Sequence, residues 1–173
     1  MATRVEISPE EYLRTSFEGP DRELVDGEVV ERGMPTPEHA ETQWRLAGIF
    51  FQISQRKPLK AFTELRLQLT PERFRVPDLA VYFGSPRVAG PAATEPPDIV
   101  AEVVSPDDRY LGLMAKLEEY RTWGVSRIWV LEPAGRRLQI YDRGDLRTVE
   151  ALEVPELDAH LTADEVFPPE PQG

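Results

Sequence analysis

Asp78, Glu102 and Lys116 are the residues of this chain whose types and surroundings could do chemistry. Asp78 follows Pro77 at the entry to an apolar stretch, and Glu102 interrupts the run Ile99-Val100-Ala101-Glu102-Val103-Val104. Lys116 sits between Leu113, Leu117 and Tyr120, which mark the apolar stripe of the next helical segment. Burying a charge is costly unless it is paired or holds a metal. Two carboxylates that converge on one point repel unless a cation or a proton separates them. Two acids and a lysine are also a minimal set for metal-assisted cleavage of a phosphodiester.

Each residue has a plainer reading. Asp78 beside Pro77 could be an ordinary turn aspartate. Glu102 could pair with an arginine, or a different register could turn it outward; yet a glutamate is almost never fully buried unpaired. Lys116 alone could pack its stem and keep its ammonium in water. Beside Glu102 the balance changes, because a helix packing back on its own strand would aim Lys116 at the carboxylates. His39 falls in the first turn of a helix on its core-facing side, where the dipole disfavours the charged imidazole. It is either a satisfied core histidine or a catalytic group. Arg73 and Arg75 could hold phosphates, or lie on the surface. Glu23 and Asp26 read as hairpin residues. Arg136, Arg137, Arg143 and Arg147 read as a basic strip or a solvated hairpin face.

The elements that must position these groups follow from local signals. Ser8-Pro9-Glu10-Glu11 is a capping box that starts a short helix. Asp26-Gly27, between Glu23-Leu24-Val25 and Glu28-Val29-Val30, is a hairpin turn. Thr36-Pro37 opens a helix running to about Gln55, with His39, Gln43, Leu46, Phe50 and Ile53 on one face and Trp44 and Phe51 widening the apolar stripe. Leu65, Leu67 and Leu69 alternate with polar residues as a half-buried strand, and a further strand spans about Val76 to Phe83. Gly84 to Pro97 is loop. The stretch from Asp98 to Val104 reads as a central strand covered on both faces. Ser105-Pro106-Asp107-Asp108 opens a helix that ends at Gly124. A second hairpin joins Arg127–Leu131 to Leu138–Tyr141, and a last strand lies near Arg147 to Val154. The order predicts a mixed α/β (α+β) domain over residues 1–166, with a central mixed sheet flanked by helices and an N-terminal helix and hairpin. Residues 167–173 read as a proline-rich frayed tail.

Composition limits the rest. The chain has 173 residues, no cysteine, and 20 basic against 31 acidic residues, a net charge of -11. Thiol catalysis, thiolate metal sites and disulfides are excluded. A reducing cytoplasm fits, and no apolar run reaches membrane-spanning length. The acidic balance argues against a general nucleic-acid binder. It leaves room for an enzyme that gathers its arginines on one face.

At these residues the chain resembles the PD-(D/E)xK nuclease superfamily, and most closely its Uma-type branch of "putative restriction endonucleases". The resemblance rests on an ordered series. It comprises Glu23-Leu24-Val25-Asp26-Gly27-Glu28, Pro37 with His39, Val76-Pro77-Asp78-Leu79-Ala80-Val81, and Ile99 to Pro106. Lys116 with Tyr120 and Gly124 to Val130 complete it. It implies a restriction-endonuclease-like fold and a divalent ion held by Asp78 and Glu102, with the Val103 carbonyl as a further ligand. One departure stands out. The superfamily lysine lies two residues after the acid, where this chain has Val104, and Lys116 is its match on the following helix.

Three functions are therefore expected to compete. The first is a Mg²⁺-dependent endonuclease acting on DNA, with Mn²⁺ as a substitute, Asp78, Glu102, Lys116 and His39 at the site, and a homodimeric state. The second is a binding or regulatory module with a vestigial site, which the net charge favours. The third is a hydrolase of a small phosphorylated substrate. Under the first, a metal-free site stores like-charge repulsion that Asp78→Asn would relieve, and Lys116→Met would keep or raise stability.

Overall fold

The apolar run around Glu102 becomes the centre of the main sheet. The computed structural model describes residues 6–85, 88–105 and 110–170. In chain order the elements begin with α1 (Pro9–Arg14), β1 (Glu23–Val25), β2 (Glu28–Val30), α2 (Pro37–Ser54) and β3 (Leu59–Thr63). Next come β4 (Leu67–Thr70), β5 (Arg73–Arg75), β6 (Leu79–Phe83), β7 (Ile99–Val103) and α3 (Tyr110–Trp123). The chain continues through β8 (Arg127–Glu132), β9 (Arg137–Asp142), β10 (Asp145–Val149), β11 (Ala151–Val154), β12 (Ala159–Thr162) and α4 (Ala163–Val166). The main sheet has the order β10-β9-β8-β7-β6-β3, with β7 antiparallel to β6 and parallel to β8 across the α3 connection. A second sheet has the order β2-β1-β5-β4, and β11 and β12 form a separate hairpin.

Strand alternation sorts the core into two layers. Leu79, Val81, Ile99, Ala101 and Val103 face Leu46, Phe50 and Ile53 of α2. Ala80, Tyr82, Val100, Ile128 and Val130 face Leu117 and Tyr120 of α3. Glu102 shares its face with Val100, so it points toward the α3 layer. This is why a lysine on α3 can reach it.

Several expected boundaries move. The strand expected over about Val76–Phe83 begins only at Leu79, as β6, and the residues before it lead from β5 in the second sheet. Pro77 has no N–H to give a ladder, and the Val76 N–H is taken by Glu23 Oε1 at 3.0 Å. Asp78 therefore sits just before β6 rather than inside a strand. The last strand is likewise two, β10 on the main sheet and β11 paired with β12. Trp44 and Phe51 do not widen the buried stripe of α2, being 73% and 66% exposed. Phe167, placed at the start of a frayed tail, is fully buried in the α2 layer. The helix-opening residues Pro106, Asp107 and Asp108 lie outside the described residues. Among the described residues no helix is long and apolar enough to cross a membrane.

Candidate functional site

Register brings the two acids together. Leu79 pairs with Ala101 and Ala80 with Val100 across β6 and β7. Continued by one residue, this register puts Asp78 opposite Glu102 on one face. Both are buried, at 2% and 6% exposure. Asp78 Oδ2 accepts the Val103 N–H at 2.7 Å, which locks the aspartate to the strand that carries Glu102.

Lys116 reaches the same point from α3. Its Nζ lies 2.7 Å from Glu102 Oε1 and 2.8 Å from Glu23 Oε1. The solvent-seeking alternative for Lys116 is therefore not the one adopted. Tyr120, one turn along α3, donates its hydroxyl to Glu102 Oε1 at 2.8 Å. His39 and Gln43, on the predicted face of α2, both address Asp78. His39 Nε2 lies 3.3 Å from Asp78 Oδ1, and Gln43 Nε2 donates to the Asp78 carbonyl at 2.9 Å. Thr36 caps this helix by accepting the His39 N–H, which fixes the first turn and its imidazole.

Three members were not legible in the sequence. Glu23, read as a hairpin residue, is 4% exposed and is the second carboxylate on Lys116. The β1–β5 register places it opposite Arg75, whose Nη1 donates to Glu23 Oε2 at 2.8 Å. Arg32, in the segment after β2, donates to Asp78 Oδ1 at 2.9 Å, and its Nη1 lies 3.7 Å from Glu64. Tyr120 was noted as an apolar stripe residue and beside Lys116 in the motif series, without a role at the site. Alternation alone would bury one of Glu23 and Leu24, but both are buried in β1.

The expected phosphate-holding arginines are otherwise engaged. Arg75 makes two contacts to Glu119, at 2.7 and 2.9 Å, besides Glu23, and Arg73 pairs with Asp26 and Glu119. Of the C-terminal basic strip, Arg136 pairs with Asp164, Arg137 with Glu132 and Arg143 with Asp142.

The electrostatics follow from these pairings. Burial pushes the Glu23 carboxyl up, but Lys116, Arg75 and the Val76 N–H outweigh it and hold it at about 2. Burial also opposes ionisation of Asp78, yet His39, Arg32 and the Val103 N–H bring it below the usual carboxylate range. Glu102 goes the other way. Burial raises it, Lys116 pulls it back, and the neighbouring Asp78 and Glu23 push it up again, leaving it raised. Burial would lower Lys116, but Glu102 and Glu23 raise it further, so the ammonium stays charged. Lys116 is a fixed cation and not a base.

Glu23 yields a pH prediction. Its folded-state value lies below its ordinary 4.5, so its stabilisation is present above that value and is lost as pH falls toward about 2. The shift corresponds to about 3 kcal/mol near neutrality, of which about 2 kcal/mol is gone by pH 3. Urea unfolding of wild type and Glu23→Gln should show a stability gap that narrows between pH 7 and pH 3. A gap independent of pH would refute the assignment.

The acids, Lys116, His39, Arg32 and Val103 line one open cleft of about 440 Å³. That volume suits a small polar group with its surroundings. Among the described residues, no set of three or more His, Asp or Glu side chains forms a ready-made metal cage. The cleft offers Asp78 and Glu102 instead, an all-oxygen pair.

Comparison with known proteins bears on the family and the fold. Residues 9–172 match the profile of Uma2, described as "Putative restriction endonuclease". The chain belongs to the Uma2 family. The crystal structure of "a putative nuclease belonging to DUF820" from Anabaena variabilis ATCC 29413 superposes with a TM-score of 0.78. The two are 20% identical, and the match covers 93% of this chain and 97% of that one. The fold of this Uma2 chain is thus restriction-endonuclease-like, as its ordered motifs imply. No curated protein matches the chain.

Proposed function

We propose that this Uma2 chain is a divalent-metal-dependent endonuclease that hydrolyses DNA phosphodiesters in the cleft at Asp78, Glu102 and Lys116. The observation that carries the reading is Lys116, a buried charged lysine 2.7 Å from a carboxylate that lies across the register from Asp78. Membership of the Uma2 family supports it.

The donor set fits Mg²⁺ or Mn²⁺. Mg²⁺ takes oxygen ligands, commonly one or two carboxylates, and keeps several waters. Asp78 and Glu102 supply those carboxylates, with the Val103 carbonyl as the further ligand. When bound, the ion supplies a Lewis acid and lowers the pKa of a coordinated water. The remaining work falls to the chain. Lys116 presents a permanent positive charge to the phosphoryl oxygens as their charge grows, from a site that needs no reorganisation. Glu23 and Tyr120 keep Lys116 and Glu102 in place. Gln43 and the Val103 N–H fix the backbone and one oxygen of Asp78. His39, 3.3 Å from the other oxygen, is placed to orient a water or a phosphate.

Arg32 is the group that must yield. It holds Asp78 Oδ1, where a metal ion would compete with it. Lys116 keeps Glu23 as a partner if it leaves Glu102. Displaced from Asp78, Arg32 would face a phosphate at the mouth of the cleft. Arg32→Gln should therefore tighten Mn²⁺ binding by roughly tenfold, a change of about 1.4 kcal/mol, while weakening DNA binding. Titration of Mn²⁺ by electron paramagnetic resonance checks the first effect. Unchanged Mn²⁺ affinity would mean that Arg32 does not guard the site.

The direct test is nicking of supercoiled plasmid by pure protein with Mg²⁺, Mn²⁺, Ca²⁺ or chelator. Cleavage with Mg²⁺ or Mn²⁺ that chelator abolishes is the expected result. A thermal melt gives an activity-free readout. At a metal concentration about 100 times its dissociation constant, binding adds about 2.7 kcal/mol, a rise of roughly 5–10 °C for a domain of this size. Ca²⁺ should stabilise as well, since it also takes carboxylate oxygens.

A second reading has its own support. Arg73, Arg75, Arg136, Arg137 and Arg143 are all paired with acids, and the chain carries a net charge of -11. A surface so neutralised suits a binding or regulatory module with a vestigial site. A melt indifferent to millimolar Mn²⁺, together with no nicking, would favour it.

A further inference from the structure

The outer face of α2 carries two exposed aromatic side chains that the site does not use. Trp44 and Phe51 are 73% and 66% exposed, and Gly48 lies between them. At 100° per residue these positions fall on one ridge, opposite the buried Thr42, Leu46, Phe50 and Ile53. A Cβ built on Gly48 would meet nothing within 4 Å, so the ridge is open at its middle. Beside the ridge runs a groove of about 320 Å³, lined by Ala47, Phe51, Ala61 and Phe62 among others. A tryptophan knob and an apolar groove thus share one helix face.

We infer that this face is a two-fold interface between two copies of the chain, with the α2 helices antiparallel and crossing at Gly48. A two-fold contact is self-complementary, so knob and hole must both be present on each copy. An antiparallel crossing at Gly48 sets Trp44 near position 52 of its partner, beside the groove. A glycine at the crossing permits close approach of the backbones.

Charge fixes the direction. Glu38 and Glu41 are exposed at the N-terminal end of the helix, and Arg56 is exposed just past its C-terminal end. Antiparallel crossing at Gly48 brings Glu41 of one copy, which also pairs with Arg45 of its own helix at 3.0 Å, beside Arg56 of the other, and a parallel crossing would set the two Glu41 side chains together. Strand pairing through β3 is the competing geometry, because β3 is an edge of the main sheet. Its exposed Lys60 is a residue type that discourages edge pairing, which leaves the helix face as the contact. Aromatic side chains bury about 150–250 Å² each. Four of them supply roughly half or more of the ~1,200 Å² a specific interface needs, and the groove walls and charged ends supply the rest. The inference is independent of nuclease activity and of metal.

Sedimentation equilibrium of the full chain tests it. The wild type is expected at twice the 19.7 kDa chain mass at micromolar concentration. Trp44→Glu, at an exposed position, should keep the circular dichroism spectrum of the fold and weaken the dimer by at least 100-fold. Phe51→Glu is the second variant, should Trp44→Glu fold poorly. Glu41→Arg should weaken the dimer about tenfold, and adding Arg56→Glu should restore it. A monomeric wild type at 100-fold higher concentration would overturn the inference and assign the face to another partner. A dimer that survives Trp44→Glu and Phe51→Glu, or a charge reversal not restored by the second, would overturn the α2 arrangement.

Discussion

Lys116→Met is expected to lower metal-dependent nicking by on the order of 10²-fold or more, the loss of roughly 3 kcal/mol of transition-state stabilisation. Methionine fills a similar volume but carries no charge to set against the phosphoryl oxygens. Stability is expected to fall as well, which reverses the expectation drawn from the sequence. Lys116 is not a poorly solvated charge awaiting a substrate, because Glu102 and Glu23 both hold it. Its removal leaves Glu102 with Tyr120 alone and Glu23 with Arg75 and the Val76 N–H. Breaking a buried pair from one side costs about 3 kcal/mol or more. Nicking and urea unfolding on the same preparation check both effects. Full nicking by the pure variant would remove Lys116 from the mechanism and point to a contaminating nuclease.

Asp78→Asn is expected to lower the melting temperature of the metal-free protein by about 6–12 °C, equivalent to a loss of about 3 kcal/mol. The sequence suggested the opposite, on the argument that it removes one of two repelling carboxylates. The structure corrects that argument, because the chain supplies its own counter-ions. Arg32 and His39 face one oxygen of Asp78 and the Val103 N–H faces the other. An asparagine offers an N–H₂ group toward at least one of these donors and leaves the Arg32 guanidinium buried without its carboxylate. The melting rise with Mn²⁺ should also disappear in the variant. A variant that melts higher than wild type without metal would restore the like-charge account. One that keeps the full Mn²⁺ response would remove Asp78 from the metal site.

The consequences for the protein are chemical as well as mechanical. The cleft is assembled with its charges balanced, so under the proposed function a divalent ion would enter by exchange with Arg32 rather than by filling an electrostatic void. Metal binding and phosphate recognition would then be coupled through one side chain. The acidic surface sets a further condition, since long-range attraction of DNA would be weak. Substrate capture would rest on contacts inside the cleft.

Local pattern was enough for much of this molecule. Pro9 and Pro37 behind their serine and threonine caps start α1 and α2, and Asp26-Gly27, both at positive φ, turns the first hairpin. The run around Glu102 could only be a covered central strand. The face of α2 from His39 to Ile53 follows from 3.6-residue spacing, and Lys116 stands out because it breaks an apolar stripe. All of these signals lie within a few residues of one another. What the chain sequence left open depends on partners far apart along it. Arg32 and Asp78 are 46 residues apart, and Glu23 and Arg75 are 52 apart. No local period encodes which strand edge lies beside which, so Glu23 looked like an ordinary hairpin acid and nothing singled out Arg32. The same is true of Trp44 and Phe51, whose exposure depends on which sheet covers α2 and where that sheet ends. The break at Pro77 was visible as a proline but not as a change of sheet. Hydrogen bonding to Glu23 from another strand is what separates β5 from β6 and leaves Asp78 opposite Glu102.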